Sequence, residues 1–261
     1  MDQLVEIWRR AGSPQGPPPA PVIALMAGLA LALVLVPALW PVTRLAVTIT
    51  HEGAHAVAAV LAGRRLQGIR LHSDTSGLTV SSGRAGGPGM VAMLAAGYLG
   101  PAVVGVGAAV MLGAGLSLGL LWCYVLLLAL LLLQIRNFYG LLLVLGAGGG
   151  LVAVSWYLPP QTQSALAYLI TWVLLLAAPK PVLELARQRR RRRPGLDHAG
   201  RSGSHRGQVG HSDVDQLAAL TRVPALVWMA FFLLVNIAGL ACGAALLLPQ
   251  LVPLVEGLVR R

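Results

Sequence analysis

Read for alternation of apolar and polar positions, the chain is a series of long apolar runs with short polar breaks. Runs near twenty residues fall at about 21–40, 42–63, 88–112, 115–134, 139–158, 163–179 and 224–248, each long enough to propose as a transmembrane helix. Two stretches differ. Residues 66–83, "LQGIRLHSDTSGLTVSSG", place Ile69 and Leu71, then Leu78 and Val80, on alternate positions around "DTSG", the pattern of a short β-hairpin. Residues 187–216 are rich in Arg, Gly and Ser and hold too little apolar surface for a core, so 184–211 reads as a basic disordered linker. "SDVDQLAALTRVP" (212–224) then reads as a helix start, with Ser212 or Asp213 as N-cap, leading into the last run. The expected architecture is an all-α polytopic membrane protein of about seven transmembrane helices, with a cytoplasmic hairpin after the second. Its parts are a lead-in (1–20, Pro-rich from residue 11), a membrane domain (21–183), the linker, and a C-terminal helix with tail (212–261).

Composition agrees. With 56% hydrophobic and 11% charged residues among 261, a soluble fold would have too little polar surface to cover itself. Arg9 and Arg10 precede the first run, but its apolar core is too long for a cleaved signal, so it reads as a retained anchor. The net charge of +11 raises the question of nucleic acid, and position answers it in the negative. Seven spans with the N-terminus in the cytoplasm would put 17 of the 20 basic residues on that side, leaving Arg44, Arg260 and Arg261 outside. The Arg run at 187–193 offers a surface to anionic lipid headgroups, and its plainer reading is an orientation signal for a cell-membrane protein. Cys123 and Cys242 lie in separate runs and read as small packing residues. The Gly pairs 115/119, 146/150 and 239/243 have the spacing that lets helices approach closely in lipid.

Chemistry concentrates in one place. Away from their ends, the first six runs contain only three ionisable residues: His51, Glu52 and His55, within "TITHEGAHAVAAVLAG". Such groups are costly in hydrocarbon and are functional candidates by default. At i and i+4 the two imidazoles share a helical face and can bind one metal, while Glu52 can reach water activated by it. This HExxH arrangement supplies two ligands and a general base for metal-assisted hydrolysis, with Zn²⁺ the expected ion. The rival reading is a buried polar cluster in which Glu52 pairs with a histidinium. His55 precedes Arg64 by nine residues, so at about 1.5 Å per residue the site lies roughly 13 Å from that helix end.

An HExxH in an early transmembrane helix, a following hairpin, and a Gly-Pro in the next helix ("GYLGPAVVG", Gly100–Pro101) together resemble the site-2 protease family. The resemblance is closest to a compact bacterial branch without a PDZ domain; it covers about residues 40–140, and 212–228 also looks like that branch. It implies an intramembrane zinc metalloprotease that cuts membrane-protein substrates and offers them the hairpin's edge strand. In that family a later helix supplies a third, carboxylate ligand from an Asn-Pro-Asp-Gly type of motif. Here "IRNFYG" (135–140) keeps Asn137, a candidate for substrate binding, and Gly140, but Tyr139 stands where the Asp would be. Asp215 is the preferred substitute; Asp74, Asp213 and His72 remain open, and Asp213 and Asp215 could simply cap their helix. The departure motivates a second reading, an inactive homologue that binds membrane clients. A transporter is disfavoured, because no inverted repeat is evident and the polar groups sit in a single helix.

Overall fold

The computed structural model describes residues 2–191 and 212–248. Most of the linker, the Arg pair 192–193 and the tail from 249 lie outside the described residues. Ten helices and one hairpin make up the rest: α1 (Asp2–Ala11), α2 (Ala20–Leu35), α3 (Trp40–Leu61), β1 (Arg65–Leu71), β2 (Gly77–Ser82), α4 (Pro88–Gly113), α5 (Ser117–Leu132), α6 (Phe138–Tyr157), α7 (Pro160–Ala177), α8 (Lys180–Arg191), α9 (Asp213–Thr221) and α10 (Ala225–Leu247). Each apolar run is a helix, but seven helices are not seven spans.

Among the described residues, α4, α6, α10 and the continuous α7–α8 (Pro160–Arg191) are long and apolar enough to cross a membrane. The pair α2–α3 adds a fifth only if counted as one span bent by 97°. Helix α5, with 16 residues, is about 24 Å long, short of a hydrocarbon core of about 30 Å. The α7–α8 helix also takes in residues 187–191, which their composition had placed in the linker.

The break between α2 and α3 is where Val36 turns extended and the helical ladder stops. The ammonium of Lys180 donates to the Val34 carbonyl in the last turn of α2 and stands 3.8 Å over the Trp40 ring. A cation at a helix C-terminus satisfies carbonyls that have lost their intrahelical partner. Here it also joins the bend to the α7–α8 junction.

α4 supplies an axis against which the ends of this bent pair can be placed. At its N-terminal end a Cβ on Gly89 would lie 3.0 Å from the Cβ of Ala62, just after α3. Past its C-terminal end, Gly115 accepts a hydrogen bond from Gln15 N, before α2. The pair therefore traverses the length of α4 once. Residues 2–20 and the hairpin lie at opposite ends of the bundle, and the expectation that both face the cytoplasm does not fit this arrangement.

The main core joins α2, α4, α5, α7 and α10. Leu175 of α7 is fully buried between two glycines, where a Cβ on Gly105 of α4 would meet it at 2.8 Å and one on Gly243 of α10 at 2.4 Å. Gly239 packs on Ala102, whereas Gly146 and Gly150 face no neighbour and Gly119 accommodates the backbone of Ala11. Asn236, buried in α10, donates to the Tyr98 and Ala178 carbonyls, linking three helices. Cys123 and Cys242 are free and exposed on their helices.

The hairpin forms as expected. β1 and β2 are antiparallel with Ile69 opposite Thr79, and a bulge lies between Leu66 and Gly68. The other edge of β1 is taken by the α5–α6 turn: Ile69 N donates to Gln134 O at 2.7 Å and Arg136 N to Ile69 O at 2.9 Å. Asn137 extends that pairing with its side chain, accepting from Leu71 N at 3.1 Å and donating to Leu71 O at 2.6 Å. The two-stranded sheet is left with β2 as its outer strand.

Single cysteines at Ser13 and Ser73, in a background without Cys123 and Cys242, test the arrangement in sealed membrane vesicles. A membrane-impermeant maleimide should label one from outside and the other only after permeabilisation. Labelling of both from the same face would contradict the single crossing of α2–α3.

Candidate metal centre

His51 and His55 are one turn apart on α3, and their Nε2 atoms converge to 3.1 Å with the rings edge-on. α4 fixes both. The Met93 carbonyl can only accept, so His55 Nδ1 donates to it, at 2.7 Å, which leaves Nε2 to face His51 and Asp213. The His51 ring stands edge-on to Tyr98 at 5.1 Å. Between them α4 presents Gly97: a Cβ there would be 2.4 Å from His55 Nε2 and 2.6 Å from His51 Nε2. One turn on, a Cβ at Gly100 would be 2.5 Å from the Ala54 Cβ. These glycines let α3 and α4 meet closely enough for the imidazoles to occupy the space a side chain would take.

The carboxylate that joins them is Asp213, with Oδ2 at 3.2 Å from both Nε2 atoms. Burial would raise its pKa, but hydrogen bonding and charge interaction with His51 and His55 reverse that and hold it well below the usual carboxylate range. Asp215 goes elsewhere. It accepts from Ser212 N at 3.1 Å and Oγ at 2.7 Å, completing a capping box, and it pairs with Arg189 of α8. Residues two apart on a helix point to nearly opposite sides, about 200° around the axis, so only one of these acids can face the histidines. The first position of α9 faces the site, and the third reaches back to its own N-terminus.

The other candidates fall outside the cluster. Asp74 is exposed in the hairpin turn, where Ser76 donates to it from N at 3.0 Å and Oγ at 2.6 Å; these bonds lower its pKa. His72 lies beside Ser76 in the same turn. Both polar atoms of Asn137 bond to the Leu71 backbone, so its amide supports β1. Gly140 provides the room, since a Cβ there would be 2.8 Å from Asn137 Oδ1. Tyr139 packs in an apolar group with Ile69, Leu131 and Val144.

Glu52 is 5% exposed and covered by β2. Thr79 Oγ1 donates to its Oε2 at 2.6 Å, and a Cβ on Gly77 would lie 2.5 Å from Oε1. Thr48 on α3 fastens the same turn by donating to the Thr75 carbonyl at 2.8 Å. The hairpin is thus seated on the HExxH helix directly over the acid. Thr79, Gly77, Gly97 and Met93 escape a reading of the sequence because their roles are contacts between elements. Only Gly97 left a trace, as the first residue of the stretch "GYLGPAVVG" that carried the family resemblance.

Two imidazoles, one buried and one half-buried, with a carboxylate and an adjacent acid are groups that could hold a metal ion and serve metal-assisted hydrolysis. A family model described as Peptidase M50B-like matches residues 24–243, 220 of the 261, and so covers α3, the hairpin, α4 and α9. No curated protein and no solved structure matches. The chain belongs to the Peptidase M50B-like family, that of the site-2 proteases.

Proposed function

We propose that this protein is an intramembrane zinc metalloendopeptidase acting on membrane-protein substrates, with His51, His55 and Asp213 as metal ligands and Glu52 as general base. Family membership gives the coarser statement, a membrane-embedded peptidase of a metalloprotease family. The finer reading rests on one observation, the mutual separations of 3.1–3.2 Å among three ligand atoms. A tetrahedral ion with bonds of about 2.0–2.1 Å needs its ligands about 3.3 Å apart, so the three residues would suit zinc. The carbonyl of Met93 behind His55 is the kind of partner that orients a ligating imidazole.

Bound there, zinc supplies Lewis acidity, which makes water acidic and polarises a peptide carbonyl. Glu52 takes a proton from the attacking water on the oxygen that Thr79 does not hold, then returns it to the leaving amine. Helical amides in a substrate are shielded by their own hydrogen bonds, so the scissile segment must be extended. β2 offers it an edge, and because Gly77 has no side chain the strand's backbone lies against Glu52. The inactive-homologue reading drew on the missing Asp at Tyr139; Asp213 beside the histidine pair supports the active reading instead.

The hairpin end, with Arg64, Arg65, Arg70, Arg84, Arg136 and the arginines of α8, faces the cytoplasm, and Arg9 and Arg10 lie on the other side. Anionic headgroups complement the exposed arginines of α8.

Protein purified in detergent should carry about one zinc per chain by elemental analysis. Glu52→Gln should keep the metal and slow cleavage of a model transmembrane substrate by about 10²–10⁴-fold; equal cleavage by wild type and this variant would refute the assignment. Asp213→Asn should lower zinc content. Gly97→Ala should do the same, since its methyl group must displace both imidazoles; full zinc occupancy in this variant would contradict the α3–α4 geometry.

A further inference from the structure

The proposed third ligand is mounted differently from the other two. His51 and His55 belong to a long helix embedded in the bundle, whereas Asp213 is the first residue of α9, a nine-residue helix that follows the linker. Val214 and Leu217, both fully buried, dock α9 against α4 and α10. At its far end Trp228 Nε1 donates to Thr221 Oγ1 at 3.1 Å. Apolar docking is non-directional, and this second tie is two turns away from the metal face. Burial of Val214 sets which face of α9 turns inward, but neither contact is a directional bond at the first turn, where the Asp213 carboxylate must be aimed.

That first turn has its own restraint. Ser212 and Asp215 close a capping box, and Arg189 Nη2 reaches from α8 to the Asp215 carboxylate and lies 3.4 Å from Ser212 Oγ. α8 runs on from α7, so the guanidinium stands on a helix anchored in the bundle. We propose that Arg189, acting through Asp215 and Ser212, is a positioning residue for the metal site: it sets the start of α9 so that Asp213 meets the two histidines. This rests on the ligand assignment above. It accounts for two acids two residues apart, one directed to the ion and the other to the guanidinium that holds the helix.

The side chains of Arg189 and Asp215 are 34% and 42% exposed. An ion pair so open to water adds little to global stability, so its loss should register at the site before it registers in unfolding. The pattern matches groups behind a metal ligand, whose removal weakens metal affinity about 10–100-fold. Arg190, the next residue of α8, is exposed and lines the cleft between α8 and α10 beside Arg189, which makes it a control for loss of charge.

The test is zinc affinity of the full chain in detergent, measured by competition with a chromophoric chelator. Arg189→Ala should weaken binding by about tenfold or more. Ser212→Ala and Asp215→Asn should weaken it in the same sense, and Arg189→Lys should recover part of the loss. Arg190→Ala should bind like wild type, and the metal-free variants should melt close to wild type. Unchanged affinity in Arg189→Ala, or equal loss in Arg190→Ala, overturns the proposal. Should Arg189→Ala fold poorly, Ser212→Ala and Asp215→Asn decide alone, and wild-type affinity in both overturns it. If instead wild type and Asp213→Asn both fail to bind zinc, the ligand assignment itself is wrong, an outcome distinct from the others.

Discussion

Two imidazoles can converge inside this bundle because the neighbouring helix places no side chain between them. A methyl group at residue 97 would lie far inside van der Waals distance of both rings, and one at residue 100 would strike Ala54. In lipid, helices gain little from merely hiding apolar surface from one another, so close packing of small residues carries more of the association. The α3–α4 contact therefore does two things at once. It holds the bundle together where the backbones approach, and it leaves a pocket whose shape is that of the histidine pair.

The break between α2 and α3 follows from the same crowding. An unbroken helix from residue 20 to 61 would be about 63 Å long, twice the thickness of a hydrocarbon core. Bending by 97° lets α3 cross the face of α4 at its own angle and carry its ionisable residues inward. The freed carbonyl at the end of α2 receives the ammonium of Lys180, the chain's single lysine. Unpaired backbone in the membrane interior costs several kcal/mol per group, on the order of a few hydrogen bonds, so the bend and its cation belong together.

The hairpin is tied to the rest from both sides. The α5–α6 turn and Asn137 occupy the outer edge of β1, while Thr79, Gly77 and the Thr48–Thr75 bond seat β2 on α3. A small two-stranded sheet is marginal alone. Held between two helical elements, it becomes a fixed cover over the buried acid, with a single free edge. Opposite it, α9 closes the site from the direction of the arginine-bearing α8. The hairpin, α8 and α9 thus converge on one end of the bundle, around the HExxH turn of α3.

The chain's own pattern was enough to locate every apolar helix, the hairpin, the start of α9 and the HExxH triplet, because each depends on local periodicity, turn chemistry or spacing within one helix. It did not determine how many of those helices span a membrane, since that depends on the angle between α2 and α3, set by contacts with α4 and α7–α8. It also left open which acid completes the histidine pair. Asp213 and Asp215 have the same chemistry and nearly the same place in the chain. What separates them is the rotation of α9, which docking of Val214 and Leu217 and the reach of Arg189 settle in three dimensions.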